Sequence, residues 1–146
     1  MELFTNMKTA INYVTNPVLM NGVIKKTDTQ KIEINLNGRL GLLTLDNQLV
    51  MNNENLHEGD AVTFYFSYIQ TPEFPMNYDY QDLVLQEDIR PSYIDGKIVH
   101  VDDVAVRVSM SQDLGMIYVP RRWVIANAPL ESGMAVEFFI SKIQLK

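Results

Sequence analysis

Short stretches in which apolar and polar residues alternate recur along the chain. KIEINLN at residues 31–37 and VTFYFSYI at residues 62–69 both place apolar side chains at every second position. A period of two is that of a β-strand with one buried face. GVIKKTD at 22–28 and GLLTL at 41–45 are two further strand candidates, each opened by a glycine. Strands this close together leave no room for a crossover helix, so the pattern predicts an antiparallel meander.

The same pattern of apolar and polar residues occurs in two consecutive copies. Adding 74 to a residue number carries the first half of the chain onto the second without a gap, and substitutions between the copies keep physical type. Identical pairs include Pro17 and Pro91, Gly22 and Gly96, Asp28 and Asp102, Gly41 and Gly115, Gly59 and Gly133, Phe64 and Phe138, and Ser67 and Ser141. The chain is therefore a tandem duplication.

The duplication divides the chain into four parts: an N-terminal segment (1–16), repeat one (17–70), an acidic, aromatic linker (71–90) and repeat two (91–146). Each repeat predicts one small antiparallel barrel, and a unit of this size is marginal alone. We therefore expect an all-β protein of two pseudo-symmetric barrels packed together, with Phe64 and Phe138 facing two separate cores. The linker and the N-terminal segment are expected to pack on the barrels, the linker adding a strand at DLVLQ (82–86).

Local signals place the turns. Gly59, in LHEGD, suits a tight turn that needs a positive φ. Asp28 and Asp102 recur before strand breaks, where an aspartate usually builds a turn through backbone hydrogen bonds rather than acting as a catalytic carboxylate.

Composition narrows the function classes. The chain has 146 residues, 47% of them apolar, and a net charge of −6, which disfavours a protein that grips phosphate backbones. It contains no cysteine, which excludes disulfides, thiolate zinc sites and a cysteine nucleophile. It shows neither a signal peptide nor an apolar run long enough to cross a membrane, so we expect a cytoplasmic protein without membrane partners.

Catalytic signatures are missing. The two histidines, His57 and His100, lie at non-equivalent places in the repeats, and the chain carries no phosphate loop or nucleophile elbow. We expect neither an enzyme nor a cofactor or metal site.

One cluster departs from the repeat. Where copy one has DNQLV, copy two has PRRWV, which introduces Arg121, Arg122 and the single tryptophan, Trp123. Arginine beside tryptophan suits stacking on bases or gripping an acidic peptide. The other interpretation is that Trp123 replaces Leu49 as a larger cap on the barrel, with the arginines solvated or paired to acids.

Two aromatic residues occupy matching outward positions, Tyr65 in copy one and Phe139 in copy two. They are interpreted as covering the contact between the barrels or packing under the flanking segments, because aromatic side chains bury large areas. A stacking platform or a docking patch for a partner is the alternative.

The order GxI, IxI, LG and LxxGxxVxFxxxxI resembles the skeleton of S1-type and related small OB-like or SH3-like barrels, and it covers both repeats. The paired layout is also similar to a clostridial family of two such repeats, a resemblance that implies a fold and no activity. Resemblance to S1 implies single-stranded RNA binding on an aromatic and basic sheet face. The outward positions of copy one, such as Glu33 and Thr44, supply neither property, and copy two supplies only Arg107 and Tyr118.

The sequence therefore predicts a non-catalytic binding module, foremost for protein interaction or scaffolding with a partner whose identity is open. The alternative is weak binding of RNA or another single-stranded nucleic acid through Arg107, Tyr118, Arg121, Arg122 and Trp123.

Overall fold

The computed structural model describes residues 16–39, 41–51, 55–72, 78, 80–126 and 128–146. Repeat one contains strands β1 (Val18–Thr27), β2 (Lys31–Leu36), β3 (Gly41–Asp46), β4 (Ala61–Phe66) and β5 (Ile69–Gln70). The linker contains one helix, α1 (Tyr80–Leu85). Repeat two contains β6 (Ser92–Val101), β7 (Ala105–Met110), β8 (Gly115–Pro120), β9 (Val124–Ile125), β10 (Ala135–Ile140) and β11 (Gln144–Leu145). The predicted all-β class is confirmed.

Both repeats fold into the same antiparallel meander, β4-β1-β2-β3 in the first and β10-β6-β7-β8 in the second. The meanders join edge to edge, because β3 pairs with β8 and β4 meets β10. The eight long strands thereby form a closed ring within one sheet of 11 strands. Two separate barrels are not confirmed, because each meander leaves two edges that pair with the other copy. The β3 edge pairs with β8, whereas β4 shares one residue pair with β10 and also pairs with the short strand β11 of repeat two.

An approximate two-fold axis relates the copies and passes through both junctions. Leu43 lies opposite Ile117 at the β3–β8 seam, and Phe66 lies opposite Ile140 at the β4–β10 seam. Each of these pairs joins a position to its own counterpart in the other repeat. The short strands after each seam also exchange: Ile69 pairs in parallel with Val124, and its counterpart Ile143 bridges Val50.

The inner faces of both meanders point into one hydrophobic core. Phe64, Phe66 and Phe138 are each fully buried, and the Phe66 ring centroid lies 6.4 Å from that of Phe64 and 5.9 Å from that of Phe138. The expectation of two separate cores is therefore wrong. A closed ring has a single interior, and Phe66 connects the two sets of side chains across it.

Two equivalent serines fasten the β4–β10 seam reciprocally. The Ser67 hydroxyl accepts the backbone N–H of Phe139, and the Ser141 hydroxyl accepts that of Tyr65, both at 2.8 Å. The backbone N–H groups of the two serines donate in return to the carbonyls of Phe139 and Tyr65, at 3.2 and 3.0 Å. Each hydroxyl also donates to the carbonyl that follows it, at 2.9 Å. The serines thus satisfy backbone groups at the point where the strands diverge.

The β3–β8 seam depends on two glycines. Gly41 and Gly115 have φ values of 135° and 155°, and a Cβ on either would overlap a carbonyl oxygen across the seam, that of Tyr118 or Thr44 respectively. Only glycine permits this approach at this backbone conformation. The close contact explains why both repeats contain a glycine at this position.

The predicted turns are confirmed. Gly59 and its counterpart Gly133 have φ values of 90° and 98°. Asp28 Oδ1 accepts the N–H groups of Gln30 and Lys31, both at 2.7 Å, and these bonds hold the pKa of Asp28 below its ordinary value. Asp102 repeats the arrangement, with bonds from Val104 and Ala105 that lower its pKa in the same way.

The linker is helical where a strand was expected. Leu83 is fully buried whereas Leu85 is 74% exposed, a difference that alternate positions of a strand would not produce but a helical turn does. The helix is tied to repeat two because Asp82 accepts hydrogen bonds from Arg90 at 2.6 Å and Ser92 at 2.9 Å. The expectation of strand DLVLQ is therefore wrong, and the N-terminal segment lies outside the described residues apart from Asn16.

Removing either seam hydroxyl should weaken the closed ring. Ser67→Ala and Ser141→Ala each leave a partly buried backbone N–H without its acceptor, which should lower the free energy of unfolding by about 1–3 kcal/mol. Urea denaturation measures the change, and Ser132→Ala, on an exposed turn, is the matched control. Equal small effects for all three variants would show that the hydroxyls do not hold the seam.

The turn aspartates should contribute stability in a defined pH range. Because the folded pKa of Asp28 and of Asp102 is depressed, their contribution is present above the unfolded pKa, about 3.9, and is lost as the pH falls through the folded value. Asp102→Asn should lower the melting temperature at pH 7, with the difference from wild type shrinking towards pH 2. Asp103→Asn, on the same exposed turn, is the control, and a pH-independent difference for Asp102→Asn would contradict the assignment.

Candidate binding surface

Trp123 belongs to the core. It ends a 3-10 helix (Arg121–Trp123) that follows β8, and only 8% of it is exposed. Its ring stacks on that of Phe66 at 6.1 Å between centroids and lies 4.3 Å from that of Tyr68. The indole N–H donates to the carbonyl of Ser67 at 3.1 Å. Trp123 therefore packs at the β4–β10 seam, and its ring is not free to stack on a base. Its counterpart in copy one, Leu49, is also buried.

The two arginines beside Trp123 point away from it into solvent. Both are exposed, and Arg121 Nη1 donates to the carbonyl of Asp102 at 3.1 Å. The structure therefore separates the Arg-Trp cluster into a buried ring and two surface cations.

Arg107 and Tyr118 are brought together. They lie opposite each other on β7 and β8, and the Arg107 guanidinium carbon is 5.7 Å from the centre of the Tyr118 ring, a cation–π contact. Tyr118 in turn lies opposite Leu42 across the β3–β8 seam. These side chains, with Thr44 and Met116, line an open cleft of about 280 Å³ on the outer face, called here the seam cleft.

The seam cleft is chemically asymmetric although its backbone is not. The two-fold axis relates Leu42 to Met116, so the apolar part is alike on both sides. It also relates Thr44 to Tyr118 and Glu33 to Arg107, so one side alone carries the aromatic ring and the cation. Copy one has Glu33 and Thr44 at the positions where copy two has the Arg107–Tyr118 cation–aromatic pair.

The surroundings of the seam cleft are more basic than the chain as a whole. Two rows of outward residues cross the seam in register, and their charged members are Lys26, Glu33, Lys97 and Arg107, with His100 beside Arg107. Three cations and one carboxylate thus face solvent here, in a chain with a net charge of −6. The local field favours an anionic ligand.

Sequence reasoning found part of this surface. It named Arg107 and Tyr118 as candidate binding residues and Thr44 as an outward position, but it missed Leu42 and Met116. The alternation of β3 and β8 marks these two as outward. Nothing in the sequence indicated that β3 and β8 are neighbours.

The outward aromatic residues have different surroundings. The Phe139 ring is 4.5 Å from that of Tyr93, which lies 5.8 Å from the linker's Tyr78. Tyr65 is half-buried at the equivalent position, next to Leu19, which is 52% exposed. Both residues lie beside the β4–β10 seam, which joins the two repeats in place of a contact between separate barrels. A role for this surface in partner binding stays a prediction.

A buried carboxylate holds the linker near Phe139. Glu137 is only 3% exposed and accepts hydrogen bonds from Gln70 at 2.8 Å and from the Tyr78 hydroxyl at 2.7 Å. Burial, together with the Glu137 carboxylate, raises the pKa of Tyr93 above its ordinary value. The linker contact at Glu137 is therefore a hydrogen-bonded polar network.

Among the described residues, no group of three or more His, Asp or Glu side chains is arranged to hold a metal ion, and the side chains of His57 and His100 are 70% and 59% exposed. No helix in that part of the chain is long and apolar enough to cross a membrane.

Comparison with known proteins gives no match to any family model and no significant similarity to a curated protein.

The burial of Trp123 has a direct test. Trp123→Ala should lower the free energy of unfolding by about 3–5 kcal/mol because it leaves a cavity at the seam, whereas Arg122→Ala should change it by about 0.5 kcal/mol or less. Since Trp123 is the single tryptophan, wild-type fluorescence should also resist quenching by iodide. Strong quenching together with a small effect of Trp123→Ala would contradict this placement.

Proposed function

We propose that the protein is a cytoplasmic, non-catalytic binding module that docks a short segment of a partner protein in the seam cleft. The observation that carries the proposal is the exposed Arg107–Tyr118 pair at an apolar cleft. Arginine and tyrosine are over-represented among the residues that contribute most to protein–protein affinity.

The lining of the seam cleft specifies the segment it would accept. Leu42 and Met116 give an apolar floor, and methionine adapts its shape to different side chains. Arg107 can form a paired hydrogen bond with a carboxylate. Lys26 and Lys97 on the neighbouring strands extend the positive field. A segment with an apolar or aromatic anchor next to Asp or Glu is complementary to these features.

Nucleic acid fits the described surface less well. Stacking platforms for single strands need several exposed aromatic rings, and in the two rows across the seam Tyr118 is the single aromatic residue. Trp123 is buried, and the chain as a whole repels phosphate. RNA is therefore the alternative ligand, which the experiment below distinguishes from a protein segment.

The experiment identifies the partner from the cleft itself. A photo-crosslinking amino acid at Thr44 should capture a protein in cell extract, and the crosslinked segment is then made as a labelled peptide. In anisotropy titrations, Arg107→Glu and Tyr118→Ala should each weaken peptide binding about tenfold or more. Arg122→Glu, a charge reversal of an exposed arginine outside the cleft, should leave the affinity within about twofold.

Two results would contradict the proposal. A crosslinked product that disappears on RNase treatment would favour the nucleic-acid alternative, and its affinity should then fall steeply with added salt. Equal losses for Arg122→Glu and Arg107→Glu would move the site to the 3-10 helix at Arg121–Trp123.

A further inference from the structure

Gln112 adopts a backbone conformation that its counterpart reaches without strain. In the 3-10 helix Ser111–Asp113, Gln112 has φ 62° and ψ 25°, and Asp113 also has a positive φ. The equivalent residue in copy one is Gly38, with φ 76° and ψ 19°. Glycine occupies this left-handed region freely, whereas a residue with a Cβ is strained there. Copy two therefore has a side chain at a position where glycine would adopt the same backbone conformation without strain.

The Gln112 side chain lines an open cavity of about 430 Å³ between the repeats and the linker. Gln48 from copy one and Gln81 from α1 line the same cavity, so three carboxamides converge on it. Tyr80, Val84 and Leu85 of α1 supply an aromatic and apolar wall, and Leu85 is 74% exposed. The volume lies within the range of about 300–1,000 Å³ that is usual for small-molecule sites.

The pair of glutamines, Gln48 and Gln112, has no equivalent at the symmetry-related position of the other repeat. The two-fold axis relates Gln48 to Arg122 and Gln112 to Gly38, so the equivalent position has a cation and a bare backbone in place of two of the amides. The strained residue thus coincides with a cavity that the duplication alone would not have produced. Strain kept at such a place indicates that the side chain is used.

The lining chemistry selects an uncharged ligand. Among the described residues no charged side chain lines this cavity, and each carboxamide offers both donors and an acceptor. Glutamine matches the adjacent donor and acceptor on the edge of adenine with two hydrogen bonds, while a ring and aliphatic side chains suit its faces. We infer that this cavity binds a planar, uncharged heterocycle of the purine type, with adenine's pattern of donor and acceptor.

Adenosine binding is measured by ligand-observed NMR and by calorimetry. Gln112→Gly and Gln48→Ala should each weaken adenosine binding about tenfold or more, and inosine, which lacks the 6-amino donor, should bind less tightly than adenosine. Gln30→Ala, on an exposed turn elsewhere, is the matched control. Gln112→Gly should also keep or raise the melting temperature because it relieves the strained backbone.

That pairing of lost binding with retained stability separates a binding role from a structural one. A lower melting temperature with unchanged adenosine binding would show that Gln112 supports the fold, and would overturn the inference. Equal binding of inosine and adenosine, or no binding of adenosine and oligoadenylate at millimolar concentration, would also overturn it.

The effects of phosphate and of salt on affinity show whether the heterocycle comes from a free nucleoside or from a nucleic acid. The described lining of the cavity contains no cation. If a free nucleoside is the ligand, adenosine monophosphate should therefore bind no more tightly than adenosine, with little dependence on salt. If an unpaired base of nucleic acid is the ligand, oligoadenylate should bind more tightly than adenosine, with an affinity that falls as salt is added. Either result supports the inference provided that Gln112→Gly weakens the binding about tenfold or more.

Discussion

The rest of the structure depends on closure of the ring at the β4–β10 seam, where Ser67 and Ser141 form reciprocal hydrogen bonds and the short strands β11 and β5 add backbone pairing. Strands β4 and β10 share one residue pair, Phe66 and Ile140, before they diverge. Beyond that pair the strands cannot continue a regular ladder, and the two hydroxyls supply the acceptors that the backbone N–H groups need. Because an unsatisfied buried N–H is costly, this short seam stabilises closure beyond what its single residue pair suggests.

Closure explains the positions of the other features. It places the inner faces of both repeats around one core, with Phe66 in contact with Phe138 on one side and Trp123 on the other. It also brings β3 beside β8, which creates the seam cleft from side chains of both repeats. Neither repeat could form this cleft alone, because copy one supplies Leu42 and Thr44 and copy two supplies the rest of the lining.

The duplication separates scaffold from candidate function. Positions that are alike in both copies fasten the structure: the seam serines, the seam glycines Gly41 and Gly115, and the turn aspartates. Positions that differ between the copies are either buried or exposed. Trp123 is buried in the core as a larger side chain in place of Leu49, whereas Arg107, Tyr118 and Gln112 give copy two surface side chains that copy one lacks. Departure from the repeat is therefore a guide to function only after burial is known.

The sequence by itself determined what depends on near neighbours. Alternation placed the buried and exposed faces of β2 and β4, Gly59 and Gly133 placed turns with positive φ, and Asp28 and Asp102 placed turns through backbone bonds within three residues. Only the tertiary structure decided which edges meet, because a meander of either repeat has the same local pattern whether it closes on itself or on its copy. The same reason accounts for the helix at Tyr80–Leu85, the burial of Trp123 and the union of Arg107, Tyr118 and Leu42, each of which depends on contacts between residues distant in the chain.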